Sequence, residues 1–301
     1  MRALCGVLAI LTVVAANPSA AEPRAEADLD WWKTAVLYQI YPRSFKDSDG
    51  DGIGDLNGIT EKLEHLQDIG AAGVWLSPIF KSPMADFGYD ISDFRDIDPL
   101  FGTMADFDKL VDKARDLDLK VILDFVPNHS SDEHEWFVKS VRKEENYTDY
   151  YTWHDGKNNG THQFPPNNWQ SVFGGSAWTW NDERKQFYLH QFDPKQPDLN
   201  YRNPEVVKEV KDILQFWLDK GVDGFRVDAI PHLFEPPADG RPDNETSAPT
   251  NLNETYEMVV EWRELLDNKS REENRTRVLM LEAYGTLDQT MRYYGTSSAP
   301  G

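Results

Sequence analysis

The sequence predicts an α/β fold, a TIM (β/α)8 barrel of which this chain supplies about five strand–helix units. Short apolar strands alternate with amphipathic helices, and that alternation predicts parallel strands joined by crossover helices. The strands Lys120–Phe125 and Val278–Leu281, and the one that begins at Gly224, each end in polar side chains. Polar groups at the carboxyl ends of successive parallel strands are typical of the active face of such a barrel.

Residues 1–21 have the features of a secretory signal peptide. Arg2 supplies a positive charge, residues 4–16 are apolar, and small residues follow at 19–21. The apolar run is too short for a comfortable membrane span. The only cysteine, Cys5, lies in this segment, so the rest of the sequence can form no internal disulfide. Sequons for N-glycosylation also favour export, and they begin at Asn146, Asn159, Asn244, Asn253, Asn268 and Asn274.

The net charge restricts the range of partners. The formal charge is -21 over 301 residues. A surplus of acid groups argues against nucleic acid and anionic membranes as partners and favours solubility. The length alone allows one large barrel or two domains.

The first part of the barrel covers 31–129. The first strand is predicted over 35–41, where Pro42 closes it, and the second over Gly73–Leu76. The helix between them has apolar residues at helical spacing and ends at Gly70. Thr103 is the predicted N-cap of the next helix, which precedes the strand at Lys120–Phe125.

An acidic loop follows the first strand. Oxygen-bearing residues recur at alternating positions and a glycine stands sixth, as in the first half of a calcium loop. An EF-hand would have glutamate at the twelfth position, where this chain has Gly58. The alternative is a turn in which Asp side chains bind nearby backbone groups. Carboxylates this dense repel one another without a cation, so we predict a structural calcium site, with magnesium as the other candidate. The predicted ligands are the carboxylates of Asp47, Asp49, Asp51 and Asp55 and the carbonyl of Ile53.

Residues 130–203 interrupt the strand–helix alternation. They are rich in Asn, Gly, Pro and aromatic residues, and a connection this long inside a barrel is usually functional. We predict an inserted subdomain whose aromatic side chains mostly form its own core. The barrel continues over 204–301 with a helix capped by Asn203, an exposed loop over 234–253, a helix over 256–266 and the strand before Glu282.

Arg226 and Asp228 are two residues apart on a strand, so they point to the same face. A neighbouring guanidinium lowers the pKa of a carboxyl group, and we expect Arg226 to keep Asp228 ionised. An ionised carboxylate at a strand end is what a covalent glycosidase nucleophile requires. A purely structural Arg–Asp pair is the alternative.

Three motifs together resemble a known family. The strand ends Asp124…Asn128-His129, Arg226-x-Asp228 and Glu282-x-Tyr284 resemble the first three signature regions of glycoside hydrolase family 13, the α-amylase family. The segment at 196–200 is similar to the QPDLN signature of its oligo-1,6-glucosidase subfamily. The acidic loop looks like that subfamily's calcium loop, and the insertion resembles the family's B subdomain. The whole chain resembles the N-terminal portion of secreted insect maltases.

The resemblance implies a retaining α-glucosidase acting on maltose, sucrose or short α-glucans. Asp228 would be the nucleophile, and Glu282 would be the general acid and base, which requires a raised pKa. Ala229 is similar to the residue of relatives that prefer α-1,4 bonds. No organic cofactor is implied. The residues that the resemblance assigns to sugar binding are Asp86, Tyr89, His129, Phe173 and Arg226.

Other functions share these motifs. A transporter heavy-chain subunit has the same fold, and a cell-surface receptor could carry an anchor beyond Gly301. An isomerising or glucosyl-transferring enzyme would show every motif quoted above. The family's fourth signature region, a His-Asp pair with its third required carboxylate, does not occur before Gly301. We therefore expect either a fragment of a longer chain or a truncated product, which is poorly folded and inactive alone because a five-unit barrel leaves an open edge. α-Glucosidase activity from residues 1–301 would contradict this.

Overall fold

A computed structural model of the chain describes residues 31–242 and 244–296. The predicted signal peptide at 1–21, with Cys5, lies outside the described residues. The strands are β1 (Leu37–Ile40), β2 (Gly73–Leu76), β3 (Phe80–Lys81), β4 (Asp93–Ile97), β5 (Lys120–Phe125), β6 (Trp153–His154), β7 (Lys157–Asn158), β8 (Gln163–Phe164), β9 (Trp178–Asn181), β10 (Gln186–Leu189), β11 (Gly224–Val227) and β12 (Val278–Leu281). The α-helices are α1 (Pro42–Phe45), α2 (Leu56–Asp68), α3 (Met104–Asp116), α4 (Glu135–Val141), α5 (Pro204–Asp219), α6 (Asn253–Glu273) and α7 (Leu287–Arg292).

The main sheet is parallel, as the alternation of strands and helices predicted. Its strand order is β1-β2-β5-β11-β12, so each strand pairs with the next one in the barrel sequence. The register places Arg226 beside Asp124 on one side and Met280 on the other. The carboxyl ends of β5, β11 and β12 therefore lie side by side at one edge of the sheet.

A close approach fixes the start of the two last strands. A Cβ atom on Gly224 would lie 2.1 Å from the carbonyl oxygen of Val278, so only glycine fits at this point. Gly73 is similar at the start of β2, where a Cβ would lie 2.6 Å from the carbonyl oxygen of Lys120. These glycines permit the short inter-strand distance that brings the strand ends together.

The helices begin where the capping signals predicted. Thr103 and Asp106 form a reciprocal capping box at α3, and the Asn203 side chain accepts the Glu205 N–H at α5. The first strand is shorter than predicted, because the chain turns into α1 at Pro42. The helix predicted over 256–266 extends over Asn253–Glu273.

The segment between β5 and α5 forms its own small antiparallel structure. Strands β6, β10 and β9 form one sheet, and β7 and β8 form a hairpin. Buried aromatic side chains fill this region, but they do not all form a core of its own, because Tyr150, Tyr151 and Tyr188 belong to the main apolar cluster of the chain. The separate apolar cluster here consists of Trp169, Ala177, Trp178, Phe187 and Leu189.

The prediction of an exposed loop over 234–253 is wrong at several points. Phe234 is buried and part of the loop packs on the insertion, although Asn244 and Asn253 are exposed as predicted. The Trp169 indole donates to Glu245 at 2.8 Å, and the backbone N–H of Gln170 donates to the Thr246 carbonyl at 2.9 Å. Polar groups of the loop thus form hydrogen bonds with the insertion, and the sequence alone did not reveal these partners.

Candidate active site

Four charged side chains meet at the carboxyl edge of the sheet. One guanidinium, that of Arg226, faces three carboxylates. Its Nη1 lies 3.0 Å from Asp124 Oδ1 and 2.5 Å from Asp228 Oδ1, and its Nη2 lies 2.8 Å from Glu282 Oε2. The structure thus brings together both predicted catalytic carboxyl groups and the predicted arginine. The Asp124 side chain is inaccessible, whereas that of Glu282 is 43% exposed.

Ala229 fixes the position of the glutamate. Its φ of 48° and ψ of 33° are left-handed, which is uncommon for a residue other than glycine. In this conformation its backbone N–H donates to Glu282 Oε2 at 3.0 Å. Glu282 is therefore held by β11 through Arg226 and through the turn that follows Asp228. Sequence reasoning missed this contact, because no side chain signals it.

The expectation that Arg226 keeps Asp228 ionised gives the wrong direction for its pKa. Burial raises the pKa of Asp228 well above its ordinary value, and the charges of Asp124 and Glu282 raise it further. Arg226 opposes this shift but is shared among three acids. Burial likewise raises the pKa of Asp124 to about 6, against the lowering effect of Arg226. A single cation in a desolvated site does not offset three carboxylates.

Asp124 organises the floor of the site. Its Oδ2 accepts from the Tyr89 hydroxyl at 3.2 Å and from the Trp75 indole at 3.3 Å. The guanidinium of Arg226 also lies over the Trp75 ring, 5.2 Å from its centroid. Trp75 was missed from the sequence, although its place as the third residue of β2 puts it near the same edge. These contacts orient the Tyr89 ring toward the charged cluster.

The predicted sugar-binding residues of the first loops are already hydrogen-bonded. Asp86 Oδ2 accepts from Gln196 Nε2 at 3.0 Å, and burial raises the pKa of Asp86. His129 is buried, and its pKa is lowered to about 3 by burial, so it is neutral. His129 Nδ1 lies 3.2 Å from Asn128 Nδ2, and its Nε2 lies 3.2 Å from the Tyr89 carbonyl oxygen and 3.1 Å from Gln196 Nε2. A sugar hydroxyl would have to replace that carbonyl.

Phe173 lies at the rim of the site. It is 61% exposed, and its ring lies 5.8 Å from that of Phe192, measured between centroids. Phe192 in turn lies 5.3 Å from His129 and 5.1 Å from His232. Phe173 is therefore connected to the site through Phe192, and its own ring faces solvent.

The acidic loop brings some of its predicted ligands together. One carboxylate oxygen from each of Asp47, Asp49 and Asp55 lies within 4.8 Å of the other two. Asp51 is not in this group, and its Oδ1 accepts from the Ile53 N–H at 2.7 Å. Backbone N–H groups of Gly50 and Gly52 lower the pKa of Asp47, which favours its ionised form.

The departure from an EF-hand at position 58 has a steric cause. A Cβ on Gly58 would lie 2.0 Å from the Lys46 carbonyl oxygen, so no glutamate fits there. Instead Asp55 is the N-cap of α2 and accepts the Gly58 N–H at 2.7 Å. An all-oxygen donor set fits a calcium ion better than a softer metal.

Comparison with known proteins gives a family match and several relatives of similar sequence. Residues 39–300 match the family described as the alpha amylase catalytic domain. A salivary alpha-glucosidase of Aedes aegypti is 55% identical over 91% of this chain and 50% of its own length. An amino acid transporter heavy chain of Homo sapiens is 44% identical over 96% of this chain and 44% of its own length.

A solved structure gives the same fold. The crystal structure of an alpha-glucosyl transfer enzyme superposes with a TM-score of 0.80 at 44% identity, over 90% of this chain and 53% of the other. The chain spans about half the length of the curated relatives that it matches.

Replacing Arg226 with methionine in the complete protein tests the electrostatic role of the guanidinium. Two buried carboxyl groups lose their counter-charge, which at neutral pH costs about 3–5 kcal/mol of unfolding free energy. Acids with a raised folded-state pKa lose stability as pH rises above their unfolded-state pKa of about 4. The variant raises these pKa values further, so the loss of thermal midpoint should be greater at pH 8 than at pH 5.

The matched control is Arg142→Met, since Arg142 is 58% exposed and pairs only loosely with Glu144 and Glu183. We expect a change of less than about 1 kcal/mol with no pH trend. An Arg226→Met loss that is equal at both pH values would contradict the described charge cluster.

Proposed function

The chain belongs to the α-amylase family, and from this membership and the site geometry we propose that the complete protein is a retaining α-glucosidase. It releases glucose from the non-reducing end of maltose, sucrose or short α-glucans. The observation that carries the proposal is the single guanidinium that binds both Asp228 and Glu282. Carboxylates on the two nitrogens of one guanidinium are close neighbours, which favours the separation of about 5–5.5 Å used by retaining glycosidases.

In the proposed reaction the ionised form of Asp228, which the Arg226 guanidinium favours, attacks the anomeric carbon and displaces the leaving sugar. Glu282 donates a proton to the leaving oxygen, and a covalent glucosyl-enzyme forms. Glu282 then takes a proton from water, which attacks the same carbon and frees Asp228. The partial exposure of the Glu282 side chain supports this role, since leaving group and water both reach it from solvent. Arg226 and the Ala229 N–H keep its oxygen in place.

A non-catalytic role is the second candidate, because the human transporter heavy chain is 44% identical to this chain. The presence and convergence of Asp228 and Glu282 favour the enzyme. Glucosyl transfer to a sugar instead of water uses the same two carboxyl groups, and a transfer enzyme is among the similar structures.

We place the complete protein outside the cell as a glycoprotein. The asparagines of the six predicted sequons are all exposed, whereas Asn128, in a seventh sequon, is buried. The similar proteins include salivary alpha-glucosidases. Within 31–242 and 244–296, no helix combines the length and apolar character that crossing a membrane requires.

Asp228→Asn in the complete protein tests the nucleophile. The amide cannot form the glycosyl ester, so maltose turnover should fall by at least about 10^4-fold, an activation cost of more than about 5 kcal/mol. Asp219→Asn is the control, because Asp219 is an exposed partner of Lys269. Release of glucose from maltose is measured for both proteins. Hydrolysis retained by the Asp228 variant would reject the assignment.

Linkage preference is tested on the unchanged protein. Ala229 follows the nucleophile, and we propose that α-1,4 bonds are preferred over α-1,6 bonds, so kcat/KM should be higher for maltose than for isomaltose. The left-handed backbone at Ala229 disfavours a β-branched valine there. A higher kcat/KM for isomaltose would disprove the preference.

We propose that the acidic loop binds one structural calcium ion through Asp47, Asp49 and Asp55, with Asp51 and the Ile53 carbonyl as the other candidate ligands. Saturating calcium should raise the thermal midpoint, since about 100-fold excess over the dissociation constant contributes about 2.7 kcal/mol. Asp49→Asn should abolish most of this rise, and the exposed Asp116→Asn should not. An equal calcium response in both variants, or none in the parent protein, would refute the site.

A further inference from the structure

Gln191 joins the insertion to the turn behind the nucleophile. The residue is 4% exposed, and its carboxamide contacts two separate segments. Its Nε2 donates to Asp198 Oδ2 at 2.7 Å and to the His232 carbonyl at 2.9 Å, and its Oε1 lies 2.8 Å from His232 Nδ1. Its backbone N–H also donates to Asp198 Oδ1 at 3.1 Å. Both polar atoms of the carboxamide are therefore hydrogen-bonded. Their partners, Asp198 and His232, have no role in the proposed catalytic mechanism.

These contacts determine which nitrogen of His232 carries the proton. Because Nε2 of Gln191 faces two acceptors, its Oε1 must face the imidazole, and an amide oxygen can only accept. His232 Nδ1 is consequently the donor, and its Nε2 is an acceptor. That Nε2 lies 2.8 Å from the Tyr284 hydroxyl, which must donate to it. Burial lowers the pKa of His232 to about 4, so the neutral imidazole persists at neutral pH.

Tyr284 lies on the leaving-group side of the site. It follows Glu282 by two residues on the same strand end, and the Glu282 charge, after burial, helps to raise its pKa to about 12. The residue is 47% exposed, so part of its side chain faces solvent. The leaving sugar must adjoin the acid that protonates it, so the neighbour of Glu282 on the open side borders that sugar.

We propose that Gln191 is a positioning residue for the leaving group, acting through the ring of His232 on the hydroxyl of Tyr284. Gln191 fixes the tautomer of the His232 imidazole, which accepts a hydrogen bond from the Tyr284 hydroxyl and so fixes the position of the Tyr284 ring. That ring then borders the leaving sugar that Glu282 protonates. This role rests on the proposed glucosidase function. In this role the buried contacts of Gln191 with Asp198 and His232 contribute to substrate selection as well as to stability.

Two substrates separate this role from a merely structural one. Maltose leaves a sugar beside Tyr284, whereas α-glucosyl fluoride leaves a single ion that has nothing to contact there. In the complete protein, Gln191→Leu should lower kcat/KM for maltose about tenfold or more and for the fluoride less than threefold. Gln170→Leu, an exposed glutamine of the same insertion, should change neither value. Equal losses on both substrates would overturn the proposal, because general damage to the site would affect both.

A double-mutant cycle tests whether Gln191 acts through Tyr284. Tyr284→Phe removes the hydroxyl and should produce the same substrate-selective loss. If the two residues act in one line, Gln191→Leu combined with Tyr284→Phe should be no worse on maltose than the worse single variant. Multiplicative losses would show independent roles and contradict the inference.

Tyr284→Phe alone provides a test that does not depend on Gln191→Leu folding, because it leaves the buried contacts of Gln191 unchanged. It should lower kcat/KM for maltose and change that for the fluoride less than threefold. Equal losses on both substrates would count against the proposal. A parent protein that hydrolyses neither substrate would instead refute the glucosidase function itself.

Discussion

The structure depends on the sharing of one guanidinium by three carboxylates at a buried strand edge. Arg226 can bond Asp124, Asp228 and Glu282 together only because β5, β11 and β12 are parallel, in register and closely spaced. The glycine at 224 permits that spacing, since any side chain would strike the neighbouring strand. Burial of this edge strengthens the interactions between its charges and also raises the pKa values of the acids. The charged acids therefore lower the stability of the fold at this edge.

The parts of the site that could be predicted are those whose residues lie close together in the sequence. Side chains two apart on a strand share a face, so Arg226 and Asp228 were paired correctly from sequence, and capping residues located the helix starts. The pKa direction of Asp228 was wrong because it depends on Asp124, about a hundred residues away, and on burial. Trp75 and the Ala229 N–H were missed, since one is an ordinary strand aromatic and the other a backbone group.

The insertion is part of the site rather than an appendage. Its closing segment forms two isolated bridges near the carboxyl end of β5, one between His129 and Asp198 and one between Tyr151 and Leu199. Asp198 is buried among donors from Asn128 and Gln191, and burial raises its pKa to about 8. The QPDLN resemblance located this segment but did not reveal its partners, because long-range hydrogen bonds leave no periodic pattern in a sequence.

The two sides of the site differ in how completely their groups are satisfied. On the side of the proposed glucose-binding residues, Asp86, Tyr89 and His129 are buried or hydrogen-bonded, which would suit recognition of one fixed sugar. On the other side, Glu282 and Tyr284 are partly exposed. In the proposed reaction, water or a second sugar would approach from this open side to meet the glucosyl-enzyme. The groups that order the open side would then set the balance between hydrolysis and transfer.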